Sequence, residues 1–187
     1  MSESGVPRGG GERRYEFELD PVSFITIDTQ GPPGGRTFYL QAAQARQVVS
    51  LVIEKEHALA LALSLEQLLA GLEPDAAGAA DEDEPQAATM ALLEPVEADF
   101  RVTRMGIGVD DERGMIILVA HEREEDDDDA GRTARFVGSY RQMRVLSRHA
   151  LEVVRQGRPI CELCGEPMDP DGHFCPRRNG HHTVAET

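Results

Sequence analysis

The residues best suited to chemistry sit at one end of the chain. Cys161, Cys164 and Cys175 are all the cysteines of the 187-residue sequence, and they fall within CELCGEPMDPDGHFCPRRNGHH. A Cys-x-x-Cys-Gly turn aims two thiolates at one ion, with Gly165 accommodating the tight backbone, and a third thiolate follows in a Cys175-Pro176 turn. Zinc takes four ligands. A ribbon-type site would draw the fourth from a second Cys-x-x-Cys, but Arg178 stands at that place, so a histidine must complete the set: His173, His181 or His182. His173 precedes Cys175 by two residues, so an extended segment projects both side chains to one side, and it is the preferred ligand. His181, beyond Pro176-Arg-Arg-Asn-Gly180, is the alternative. Three thiols cannot make an even disulfide set, and reduced thiols suit a cytosolic chain. Three thiolates and one imidazole close the shell, which makes the expected Zn2+ structural and not catalytic.

A second set is basic. Arg141, Arg144, Arg148 and Arg155 recur at helical spacing along one stripe, and Arg158, Arg177 and Arg178 extend it towards the knuckle. Such a stripe contacts an anionic ligand or a partner protein, or pairs with the acidic loops. No aromatic residues interleave with it, and 34 acidic against 19 basic residues leave a net charge of -15, which argues against nucleic acid. Asp126 to Asp129 lacks the alternating ligands of a calcium loop and reads as a spacer. His57 and His121 have no companion Cys, Ser or carboxylate constellation. No Walker loop, dinucleotide fingerprint, HExxH or GxSxG occurs.

The elements that must position these groups follow from hydrophobic spacing. Met1 to Arg14 has almost nothing to bury and reads as a disordered tail (1–14). Tyr15, Phe17 and Leu19 alternate with acids, and Val22, Phe24 and Ile25 continue an extended stretch. After a Gly/Pro turn at 30–35, strands are expected over Thr37 to Gln41 and Gln47 to Ile53. A helix begins at Glu54, with Ala58, Leu61, Leu65, Leu68 and Leu72 on one face and Ala62 and Leu69 widening it enough for burial on more than one side. Acidic linkers are expected near 74–90 and 122–132.

Between the linkers, Phe100, Val102, Met105, Ile107 and Val109 predict a long strand with an irregularity near Arg104. Asp110 to Gly114 turns it into Met115 to Ala120, an all-apolar run expected to be central and covered on both faces. A short strand at Arg135 to Val137 precedes a helix from about Ser139 to Gln156, with Met143, Leu146, Ala150, Val153 and Val154 inward and Gly157 at its end. Both blocks read as strands, a hairpin and a helix. The expected fold is α+β: one domain over 15–157, an antiparallel sheet with two packing helices, then a zinc-knuckle tail over 158–187. No run approaches the roughly 18 apolar residues of a spanning helix, and the opening residues lack the apolar stretch of a signal peptide, so a cytoplasmic protein without membrane contact is expected.

The motifs also carry a resemblance. Gly157-Arg-Pro-Ile-Cys161 to Cys164-Gly165, with Asp169-Pro-Asp-Gly-His-Phe-Cys175-Pro-Arg-Arg-Asn-Gly180, resembles the tail of the family called domain of unknown function 3090, as do Gly35-Arg-Thr-Phe-Tyr-Leu-Gln-Ala42 and the Val-x-Ile-Glu-Lys55 entry to the first helix. In that family the Asn-Gly is often followed by Tyr, which implies His173 as the recurring histidine, while His181 departs from the pattern. The resemblance implies no activity. The expected function is a non-enzymatic, zinc-stabilised binding or regulatory accessory protein, its partner another protein. The alternative is an enzyme or small-ligand binder using Arg141, Arg144 and Arg148 for a phosphorylated or anionic ligand.

Overall fold

A computed structural model describes residues 15–32, 34–72, 90–122, 131–157, 161–165, 168 and 172–179. The tail 1–14 and the greater part of both acidic linkers, with Asp126 to Asp129, lie outside the described residues. Strands β1 (Phe17–Leu19), β2 (Phe24–Gln30), β3 (Thr37–Gln44) and β4 (Gln47–Ile53) lead into helix α1 (Lys55–Ala70). Strands β5 (Phe100–Asp110), β6 (Met115–Glu122) and β7 (Thr133–Ser139) lead into helix α2 (Tyr140–Arg155). Each half is a three-strand antiparallel meander followed by a helix, preceded in the first half by the short β1.

The seven strands form one mixed sheet in the order β1-β7-β6-β5-β4-β3-β2. The sheet is antiparallel at four junctions and parallel at β1/β7 and β4/β5. In both parallel pairs a long connection lies between the two strands, which parallel pairing requires and a hairpin cannot supply. The bulge falls between Val102 and Arg104, as the spacing predicts. It shifts side-chain parity by one, so that Phe100 and Val102 before it and Met105, Ile107 and Val109 after it all join the core.

Chain connectivity bends this sheet. β1 and β2 are consecutive, yet they stand at opposite edges. The five peptide steps from Leu19 to Phe24 reach at most about 18 Å, whereas six spacings of about 4.8 Å would hold the edges of a flat sheet roughly 29 Å apart. The sheet therefore curls until its edges meet. Val22 N–H donates to the Val137 carbonyl of β7 at 2.8 Å, and Ser23 N–H donates to the Ala43 carbonyl of β3 at 2.8 Å. Helix α2 packs on β2 and β7, one from each side of this closure, and α1 packs on α2. The N-cap of α2 grips the link as well: Ser139 Oγ accepts from Gln142 N–H, and Gln142 Nε2 donates to the Val22 carbonyl at 3.0 Å.

The core joins Leu19, Ile27, Leu40, Leu51, Leu118 and Phe136 of the sheet to Leu65 of α1 and to Met143 and Leu146 of α2, all with no exposed surface. Ser147 Oγ donates to the Ala62 carbonyl at 2.8 Å across the two helices. The apolar face of α1 is used in full: Ala58, Leu61, Ala62, Leu65 and Leu69 are buried and Leu68 and Leu72 pack against the core, while Leu59 and Leu63, which lie outside that face, stay exposed. β6 is central but is not covered on both faces. Ile116, Leu118 and Ala120 are buried while Met115, Ile117 and Val119 are half-buried, since both helices join the core on one side and the outward row meets Gly106 and Gly108 of β5. Among the described residues no helix is long and apolar enough to cross a membrane.

The opposite face of β2–β4 is covered by a strap over 90–99. Thr26, Gln41 and Ser50 pair in register across three strands to make one row, and all three are buried. The strap satisfies the row: Thr26 Oγ1 donates to the Met90 carbonyl, Gln41 Nε2 donates to the Leu93 carbonyl at 3.1 Å, and Leu93 N–H donates to Gln41 Oε1 at 2.7 Å. Ser50 N–H donates to Asp99 Oδ2 and Asp99 N–H to the Ser50 carbonyl, each at 2.8 Å, which sets β5 beside β4. Nothing in the spacing of these polar residues announces the strap.

At the closure, Asp20 accepts from Arg113 and Arg135, and Arg135 also pairs with Glu18. The Arg113 hydrogen bond, more than that of Arg135, lowers the Asp20 carboxyl from its ordinary 3.8 to about 2.

Two outcomes follow. Gln41→Ala strands both Leu93 backbone groups and is expected to cost about 2 kcal/mol in denaturant unfolding, with a wild-type midpoint arguing that the strap is undocked. Because the Asp20 pKa is depressed on folding, its contribution is full above pH 3.8 and fades as pH falls towards 2. Asp20→Asn is therefore expected to flatten the loss of stability across that window in pH-dependent thermal melts.

Candidate metal centre

Two short loops build the C-terminal site. The first is a turn from Cys161 to Gly165, closed by Gly165 N–H donating to the Cys161 carbonyl at 2.8 Å. Gly165 occupies the left-handed region, with φ +77°, where a side chain would be strained. The second runs from Gly172 through His173 and Phe174 to Cys175 and enters a one-turn helix, α3 (Pro176–Asn179). Arg177 Nη1 donates to the Leu163 carbonyl at 2.9 Å and ties the second loop to the first.

Between the loops the Sγ atoms of Cys161, Cys164 and Cys175 and a ring nitrogen of His173 all lie within 4.8 Å of one another. Cys161 Sγ is 3.9 Å from Cys175 Sγ, and Cys164 Sγ is 3.1 Å from His173 Nε2. A tetrahedral ion bonded at about 2.3 Å to sulfur and about 2.0 Å to nitrogen needs sulfur atoms about 3.8 Å apart and sulfur and nitrogen about 3.5 Å apart. The Cys161–Cys175 separation meets this dimension and the Cys164–His173 separation is somewhat shorter, so the donor set is compact enough to surround one cation. Cys161 and Cys175 are buried, and Cys164 and His173 are half-buried. The backbone N–H of Cys164, and next that of Leu163, points at Cys161 Sγ and holds this thiol below its ordinary value, favouring the thiolate that binds metal.

Among the described residues, the histidine that the structure brings to the three cysteines is His173, the one the spacing argument prefers. His181 and His182 lie outside the described residues. Leu163 and Phe174, one in each ligand loop, are 51% and 73% exposed, so the knuckle carries two large apolar side chains at its surface.

None of the arginines of the stripe is among the four donors. Arg141, Arg148 and Arg155 are exposed and Arg144 is half-buried. Arg144 and Arg148 line a cavity of about 280 Å³ between α1 and α2, with Glu66, Leu69, Ala70 and Ser147. Glu66 supplies an opposing charge there, and the Ser147 hydroxyl is committed to Ala62. Arg141 is outside that lining. Of the two knuckle arginines, Arg177 is exposed and donates to the Leu163 carbonyl, while the Arg178 side chain and Arg158 lie outside the described residues. His57 proves to be a capping residue: its Nδ1 accepts from Glu54 N–H at 3.5 Å while the Glu54 carboxylate accepts from the His57 backbone. An Asp or Ser at the N-cap would have signalled this box; a Glu/His pair does not.

The chain matches the family model described as Protein of unknown function (DUF3090) over residues 17–175, a span that ends on Cys175 and includes all four donors. No curated protein and no solved structure matches it.

Since Gly165 owes its conformation to the missing side chain, Gly165→Ala is expected to cost about 1 kcal/mol and to weaken metal affinity roughly fivefold. A competition titration with a chromophoric chelator reads this, and unchanged affinity would show that the turn does not set the donor geometry.

Proposed function

The chain belongs to the Protein of unknown function (DUF3090) family, a membership that carries no chemistry of its own, and from the chemistry of its residues we propose a non-enzymatic, zinc-stabilised binding or regulatory accessory protein. The observation that carries this is the convergence of Cys161, Cys164, His173 and Cys175 within 4.8 Å. Three thiolates and one imidazole favour zinc over the harder divalent cations, and four protein ligands leave no position for substrate. The ion acts as a clasp. Residues 161–175 hold too few apolar side chains to build a core of their own, and metal binding free energy serves in its place.

What the clasp supports is a contact surface. Leu163 and Phe174 are held outward by the loops that bind the ion, so zinc would fix their spacing at little cost in ordering on binding. A partner protein with an apolar recess fits these two side chains. The net charge of -15 works against polyanions.

Purified full-length protein is expected to carry one zinc per chain by elemental analysis. Cys164→Ser is expected to lower this to a small residual occupancy and to increase proteolysis of the C-terminal segment, while Gln41 and Asp99 keep their strap contacts, visible as unchanged amide protection in β2–β4. Zinc content equal to wild type in that variant would sink the assignment.

A further inference from the structure

The turn before β3, the start of α1 and the end of α2 come together around Gly157. Arg36 precedes β3, Lys55 opens α1, and Gly157 follows α2. A side-chain carbon built on Gly157 would lie 3.7 Å from Lys55 Nζ and 3.9 Å from Arg36 Nη2. Two cations therefore flank a position where the chain has no side chain.

The pairing is at odds with the rest of the surface. The chain holds 34 acidic and 19 basic residues, and Arg101, Arg113, Arg132 and Arg135 each meet a carboxylate: Glu54, Asp20, Glu122, and both Glu18 and Asp20. Arg36 and Lys55 meet none among the described residues. Arg36 is nevertheless held in place. Its Nη1 donates to the Val153 carbonyl at 3.2 Å, and its guanidinium carbon sits 5.3 Å from the centroid of the Phe38 ring. Capping the end of α2 explains that one N–H and leaves Nη2 and the Lys55 ammonium directed at Gly157.

We propose that Arg36, Lys55 and Gly157 form a binding site for a phosphate group. Both nitrogens lie near one point, within about 8 Å of each other, a span that a single tetrahedral oxyanion bridges with charge-assisted hydrogen bonds of about 2.8 Å on each side. Gly157 places no side chain between them. Arg36 is pre-set by Phe38 and Val153, so binding orders chiefly the Lys55 side chain. The site is independent of the metal reading, since none of its residues contributes a donor to the quartet.

The test is a titration of the full-length protein with inorganic phosphate, followed by the amide resonances of Arg36, Lys55 and Gly157 at constant ionic strength, with chloride and acetate as controls. Phosphate is expected to shift these resonances saturably, and chloride and acetate are not. Lys55→Gln, at an exposed position, is expected to weaken phosphate at least about tenfold. Gly157→Asp delivers a carboxylate to the two cations and is expected to abolish the phosphate response and raise the melting temperature, which separates occupancy of the site from loss of fold. A phosphate response no larger than that to chloride, an equal response to acetate, or undiminished phosphate binding in either variant would overturn the site.

Discussion

The fold rests on the four residues that join β1 to β2. They are too few to cross a flat seven-stranded sheet, so the sheet must curl, and Val22 and Ser23 each bond to a strand from a different side of the closure. Helix α2 then has two strands, β2 and β7, to pack against at once, and its N-terminal Gln142 reaches back to the Val22 carbonyl. The position of α2 descends from that short connection.

Polar groups complete what apolar packing begins. The outer face of β2–β4 would be an exposed sheet were it not for the row Thr26, Gln41 and Ser50, whose side chains and backbone take up the strap over 90–99. These bonds satisfy backbone groups that burial would otherwise penalise, so the row confers specificity of docking more than net stability. Ion pairs act in the same localised way. Arg113, Asp20, Arg135 and Glu18 hold the closure, and Arg132 lies over Phe100 while bonding to Glu122. In so acidic a chain, the two cations beside Gly157 stand out because these other arginines are neutralised.

The knuckle is built on a different principle. Its loops take their shape from Gly165 and Gly172, both at positive φ, and from ligand spacing, and they expose Leu163 and Phe174 where a globular core would bury them. Three sulfurs and a ring nitrogen, close enough together to hold one metal ion, converge where a larger segment would pack a core.

Much of this was legible in order along the chain. The Cys-x-x-Cys-Gly turn, the preference for His173 two residues before Cys175, the bulge near Arg104 and the limits of both helices depend on neighbours a few residues apart, where spacing alone sets which side chains share a face. What depended on residues far apart was not. The parallel pairs, the half-buried outer face of β6, the strap on Gln41, the role of His57 in its cap and the meeting of Arg36 with Lys55 at Gly157 arise from how the strands are ordered in space. Alternating polarity tells which residues turn together, but only the closure of the sheet decides what they turn towards.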